Sequence, residues 1–268
     1  MELHVDVEGP PDAPAVVFLH GVTGCGDTYA FLHPEDLGGR RIVRVDLRGH
    51  GRSAHAPGTY RIPAFVEDVV ELLRGIGGPP PVLVGHSLGG VIAWTVAQQH
   101  PELISAAFLE DPPLHFSQPD DAPSNRAIPV MEQMRAATRQ WREAGLSEAE
   151  VAARIAAAPG GELLCDGGPE CRAYALLSMD MGVLDATIDN TIIGDADVQA
   201  PVGVPVLVLA GDEAAGGAFP TRHVQRLAAS HPEVEVVVVP GASHLIHHEE
   251  RSREAYRREL AAFVERFG

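Results

Sequence analysis

The sequence predicts an α/β fold: a mostly parallel central sheet with helices on both faces, carrying one inserted helical segment. Two observations lead there. Short apolar runs rich in β-branched residues recur along the 268 residues, and segments of helical period separate them. A third observation, the lack of any strong strand pattern between about 112 and 200, marks the insertion.

The strand candidates are "AVVFLHG" from Ala15, "RIVRVDL" from Arg41, "PVLVGHS" from Pro81, "ISAAFLE" from Ile104, "VPVLVLAG" from Val204 and "VEVVVVPG" from Val234. Their apolar residues are consecutive rather than alternating, as expected of strands covered on both faces. Helices are expected near 62–76, 89–99, 220–230 and 249–266. The last of these places Tyr256, Leu260, Phe263 and Phe267 on one stripe. Inside the insertion, "NRAIPVMEQMRAATRQWREAG" and "SEAEVAARIAAA" have helical composition and period. "DPPLHFSQPDDAPS" and "ADVQAPVGVP" have the Pro, Asp and Ser content of irregular connectors. The expected organisation is a core of residues 1–111 and 201–268 with a helical cap, or lid, over 112–200.

A formal charge of −17 and the lack of a basic cluster argue against nucleic acid and anionic membranes as partners. No run approaches membrane-spanning length, and the N-terminus lacks the basic-then-apolar pattern of a secretory leader, so a cytoplasmic location is expected. A structural zinc site is not expected, because only two cysteines lie close together and no second pair follows. Cys165 and Cys171 flank "DGGPE" and could pair, but an odd total without a leader points to reduced thiols. Oligomeric state is not legible.

The chemistry concentrates in "GHSLGG", Gly85 to Gly90, between a strand and a helix. A strand that turns abruptly into a helix strains its central residue, and flanking glycines relieve the crowding. Ser87 is thereby exposed, with the free N–H groups and positive end of the following helix aimed at the same point.

With this motif the chain resembles the α/β-hydrolase-fold superfamily over nearly its whole length, specifically its serine esterases and lactonases with a helical cap. "FLHGVTG" resembles the family's loop that donates one oxyanion-hole N–H, which assigns Val22 as donor beside Gly21. "DLRGHGRS", Asp46 to Ser53, matches a structural loop of the family. Ser87 matches the nucleophile and the N–H of Leu88 the second oxyanion donor. In "VVVVPGASHLIHHEE", His244 matches the base; His247 and His248 compete for that role, but an exposed helix start is the expectation for both. His20 and His86 are expected to support loops, and Cys25 to pack or line the pocket.

The resemblance places the acid of the triad after the strand that follows the cap, yet that register holds "GDEAAGG", with Ala214 at the position itself. The family's second acid position is the end of the strand after the elbow helix, here "FLEDPP". Glu110, with the longer reach, is favoured there over Asp111, which Pro112 should hold extended; Asp212 is the remaining candidate.

The resemblance implies a serine hydrolase, without metal or organic cofactor, that cleaves a carboxylic ester or lactone through an acyl-enzyme. The alternatives are a non-hydrolytic ligand-binding protein or a lyase of the same fold. Amide, thioester and carbon–carbon bond cleavage stay open. Gly21, His115, Phe116, Met131, Met134 and Trp141 are the candidates for lining the substrate pocket, and the mix in the cap suggests a medium-sized apolar small molecule.

Overall fold

The computed structural model describes residues 1–118, 120, 121 and 125–268. Four residues of the connector after the fifth strand (119 and 122–124) lie outside the described residues. The sheet is built from β1 (Val5–Glu8), β2 (Ala15–Leu19), β3 (Arg41–Val45), β4 (Val82–His86), β5 (Ala106–Glu110), β6 (Val206–Gly211) and β7 (Glu235–Val239), in the order β1-β3-β2-β4-β5-β6-β7. All neighbours run parallel except β1, which pairs antiparallel with β3.

The central strands bury both faces because successive side chains serve two different cores. Val17, Leu19, Leu83, Ala107, Leu109 and Val208 join one layer with α1 (Ile62–Gly75), α2 (Leu88–Gln99) and Leu227 of α7 (Thr221–Ser230). Val16, Phe18, Val84, Phe108 and Leu207 join the opposite layer, closed by α8 (Glu250–Phe267) and the 3-10 turns Gly26–Tyr29 and Pro34–Leu37. The stripe expected on α8 is this contact. Tyr256, Leu260 and Phe263 are fully buried, each worth about 2 kcal/mol of apolar transfer.

Two strands depart from expectation for the same reason, position in the sheet. β1 was not foreseen; it is a four-residue edge strand whose Val7 is 56% exposed. β7 reads as a fully apolar run but is the opposite edge, and Val238 is 47% exposed. Period alone does not separate a buried central strand from an apolar edge.

Between β5 and β6 the chain forms α3 (Ala127–Glu143), α4 (Glu148–Ala157), α5 (Gly168–Ser178) and α6 (Met181–Ile188), with no strand among the described residues. Ser147 and Glu150 form a reciprocal capping box at the start of α4, and the Asp180 carboxylate caps α6 at the Gly182 N–H. α4 packs on α5 and α3 on α6. No described helix is long and apolar enough to cross a membrane.

Candidate active site

β4 runs into α2 through Ser87, whose φ of 51° and ψ of −112° lie outside the regions open to ordinary residues. Such a backbone costs on the order of 1–3 kcal/mol and persists only where its surroundings hold it. Here they do. The Ser87 N–H donates to the Glu110 carbonyl at 2.9 Å, and the Gly89 N–H to the His20 carbonyl at 3.2 Å. The glycines are steric necessities: a Cβ on Gly85 would stand 2.1 Å from the Gly89 oxygen, and one on Gly89 2.2 Å from the Leu19 oxygen.

The loop after β2 lies alongside the elbow. Leu47 N–H donates to His20 Nε2 at 3.0 Å, which leaves the proton on Nδ1 to be donated to the Gly21 carbonyl at 2.8 Å. That carbonyl belongs to the same peptide as the Val22 N–H, so the buried ring fixes the peptide's orientation. Burial pushes the His20 pKa down to about 3, consistent with a neutral ring. His50 lies between the carbonyls of Arg48 and Val22, at 2.9 and 2.8 Å.

His244 follows β7, on the loop that leads to α8. Its Nδ1 is 2.6 Å from Oδ2 of Asp111. The aspartate is fully buried and also accepts from the backbone N–H groups of Gly211 (2.9 Å), Ala218 (2.6 Å) and Phe219 (3.2 Å). Pro112 does not hold Asp111 extended as expected; its φ is 43°. That bend turns the carboxylate toward the β6 and β7 loops.

Glu110, the residue favoured from sequence as the partner of His244, is not that partner. Its carboxylate accepts from His247, at 3.0 Å from the backbone N–H and 2.6 Å from Nδ1. Strand parity is the physical reason. Glu110 points to the same face as Ala106 and Phe108, into the layer closed by α8, whereas the chain has already turned at Asp111. Burial raises the Glu110 pKa to about 7 and holds the His247 imidazole well below its usual range. Asp212 does not reach His244 either. It accepts from the N–H groups of Ala214 and Gly241 and shapes the turn after β6.

His247 and His248 are both buried, contrary to the exposed helix start expected of them. His247 stacks on Tyr29, with ring centroids 5.0 Å apart, and His248 Nε2 lies 3.3 Å from Thr28 Oγ1. His86 lies 2.9 Å by its Nε2 from the His244 carbonyl and so ties the elbow to the histidine loop.

These groups meet at a cavity of about 260 Å³. Gly21, Val22, Ser87, Leu88 and His244 form its floor, and Met131 and Met134 of α3 form part of its roof. A second cavity of about 300 Å³ shares Met131 and His244 with the first and extends to Phe116. Two expected lining residues are absent from both. His115 is buried against Phe219 and His223, and Trp141 packs with Leu146 and Ile155 around Val151. A cap that covers the serine made them candidates for the pocket wall, but packing within and beneath the inserted segment claimed them. The sequence did not single out Arg172, Thr28 or Asn125, which also line the first cavity. An arginine on a short helix reads as a solvated charge until the pose of that helix is known.

The sequence model of the alpha/beta hydrolase family matches residues 16–259. The sn-1-specific diacylglycerol lipase of Mus musculus is 38% identical over 108 residues, 39% of this chain and 34% of that protein. Epoxide hydrolase B of Mycobacterium tuberculosis is 38% identical over 105 residues, 37% of this chain and 30% of that protein. The matched stretch thus spans about a third of the length of these relatives. Among solved structures, an esterase from Exiguobacterium antarcticum superposes with a TM-score of 0.75 at 19% identity, covering 98% of this chain and 95% of that one, a likeness of fold.

Proposed function

This chain belongs to the alpha/beta hydrolase family, and from that premise we propose that it is a serine hydrolase that cleaves a carboxylic ester or lactone through an acyl-enzyme. The observation that carries the reading is the Asp111–His244 contact of 2.6 Å at the cavity that Ser87 also lines. In this mechanism His244 removes the Ser87 proton as the oxygen attacks the carbonyl carbon. Asp111 keeps the imidazole in the tautomer whose Nε2 is free to accept, and stabilises the cation without taking its proton. The developing oxyanion is held by the N–H groups of Val22 and Leu88, the latter at the positive end of α2. Collapse expels the alcohol, protonated by His244, and water repeats the cycle on the acyl group.

Epoxide opening by a carboxylate nucleophile, as the name of one relative suggests, is disfavoured because a serine occupies the elbow. The ligand-binding alternative takes its motive from the alanine at 214; the Asp111 carboxylate beside His244 weighs against it.

A serine-directed fluorophosphonate tests the reading. The protein should be labelled at Ser87 and the Ser87→Ala variant should not; folded protein that takes no label there would overturn it. A panel of activated esters, lactones and amides then ranks the bond cleaved.

A further inference from the structure

Every other arginine that this fold buries wholly or in part donates to a carbonyl or a carboxylate. Arg48 holds Asp68, Arg44 holds Glu8, and Arg135 holds Asp185. Arg40, Arg41, Arg142, Arg253 and Arg257 each donate to a backbone oxygen. Arg172 is the exception. It sits on α5, half-buried, and lines the cavity that holds Ser87 and His244. Among the described residues it has no hydrogen bond and no ion pair. The titratable groups that face it are Cys171, His247 and His248, of which burial keeps both imidazoles neutral. Burial also lowers the pKa of the guanidinium itself.

A half-buried guanidinium that faces a cavity, with no counter-charge among the described residues, is favoured by the arrival of an anion. A guanidinium offers a planar fork of donors that matches a carboxylate. The rest of the cavity wall is largely apolar and includes Val130, Met131, Met134 and Ile192.

We propose that Arg172 is the binding site for a carboxylate carried by the substrate, so that the protein acts on acid-bearing esters or lactones with an apolar spacer rather than on neutral ones. This rests on the serine hydrolase reading for the reaction, but not for the binding. It refines the apolar substrate expected from sequence by giving that molecule one charged end. Arg172 acts here by recognition and takes no part in the bond changes.

Two measurements separate the two readings. The first compares kcat/KM for p-nitrophenyl hydrogen glutarate with that for p-nitrophenyl butyrate, and for 4-carboxyphenyl butyrate with that for phenyl butyrate. In at least one pair the acid should be preferred, and Arg172→Gln should reduce that preference by about 10- to 100-fold, the range of one charge-assisted hydrogen-bonded contact. Arg172→Lys should restore part of it. The second measures glutarate binding by calorimetry in Ser87→Ala protein, with and without Arg172→Gln. Binding that depends on Arg172, together with no turnover of any ester by the unmutated protein, would sustain the carboxylate site and sink the hydrolase reading. Ester turnover with no preference for the acid in either pair, or a preference untouched by Arg172→Gln, would sink the carboxylate site alone.

Discussion

Asp111 and Glu110 are adjacent in sequence, yet each holds a different histidine at 2.6 Å: Asp111 takes His244 and Glu110 takes His247. The two imidazoles belong to one short loop, so the end of β5 grips that loop through two carboxylates. Only one of these pairs opens on the cavity. His244 lines it and His247 is fully buried.

Asp111→Asn should therefore lower kcat on an activated ester by up to about 10⁴-fold with little change in KM, because an amide does not impose the required tautomer on His244. Asp212→Asn, which alters only the turn after β6, should stay within about threefold, smaller than the loss of any triad-type contact. Steady-state kinetics on the two variants decides it. Equal losses would remove Asp111 from its proposed role.

Glu110→Gln should act on stability more than on turnover. Both Glu110 oxygens accept from His247, and a glutamine would turn an NH₂ toward one of those donors inside the core. The loss should be about 1–3 kcal/mol, read as a fall in Tm of roughly 3–10 °C, with kcat reduced by less than about tenfold. A kcat as low as that of Asp111→Asn at unchanged Tm would show that Glu110 belongs to the catalytic machinery.

Acid should unfold the protein early. His20, His50, His86, His115, His223, His247 and His248 all have pKa values lowered by burial, to about 3 for His20 and about 4 for His115. Below pH 6.5 the unfolded chain takes up protons at these sites that the folded chain refuses. Stability is thus present above that pH and is lost as pH falls toward the folded values. Each group can contribute a slope of up to about 1.4 kcal/mol per pH unit. Glu110, raised to about 7, opposes this between its ordinary value near 4.5 and pH 7, where the folded state holds the extra proton. One carboxyl against seven imidazoles does not reverse the sign. Tm should fall by more than about 10 °C between pH 7 and pH 5. A flat profile would mean that these rings titrate normally.

Under a disulfide-forming oxidant such as diamide, Cys25 should pair with Cys171, not Cys165 with Cys171 as sequence proximity suggests. The Cys25 and Cys171 sulfurs are 3.9 Å apart and lie across the contact between α5 and the core, close enough for a modest shift to bring them to bonding distance. Peptide mapping should find that cross-link with Cys165 still free, reversed by dithiothreitol. A map showing Cys165 in the bond would contradict it.

Much of the fold was legible because its signals are local. Six of the seven strands and the helices at 62–75, 88–99, 221–230 and 250–267 stand where runs of apolar residues and helical stripes place them. Ser87 was legible for a similar reason: a turn that admits only glycine at Gly85 and Gly89 leaves a mark in the sequence itself. Part of the pairing at β5 was within reach too. Glu110 shares the parity of Phe108, and Phe108 packs against Tyr256 and Phe263 of α8. Counting faces rather than side-chain length would have sent Glu110 toward α8.

What the sequence determined by itself, then, is the layered α/β scaffold and the place of the strained serine within it, since backbone period and steric exclusion act over a few neighbouring residues. Which carboxylate meets His244, which of the expected pocket residues reach the cavity, and that Arg172 enters it with no hydrogen-bond or ion-pair partner among the described residues were decided only by the tertiary structure. Each depends on bringing together segments far apart in the chain, as with Asp111 and His244, which are 133 positions apart. The geometry of such a meeting is set by how whole elements pack, a property that no short stretch of sequence contains.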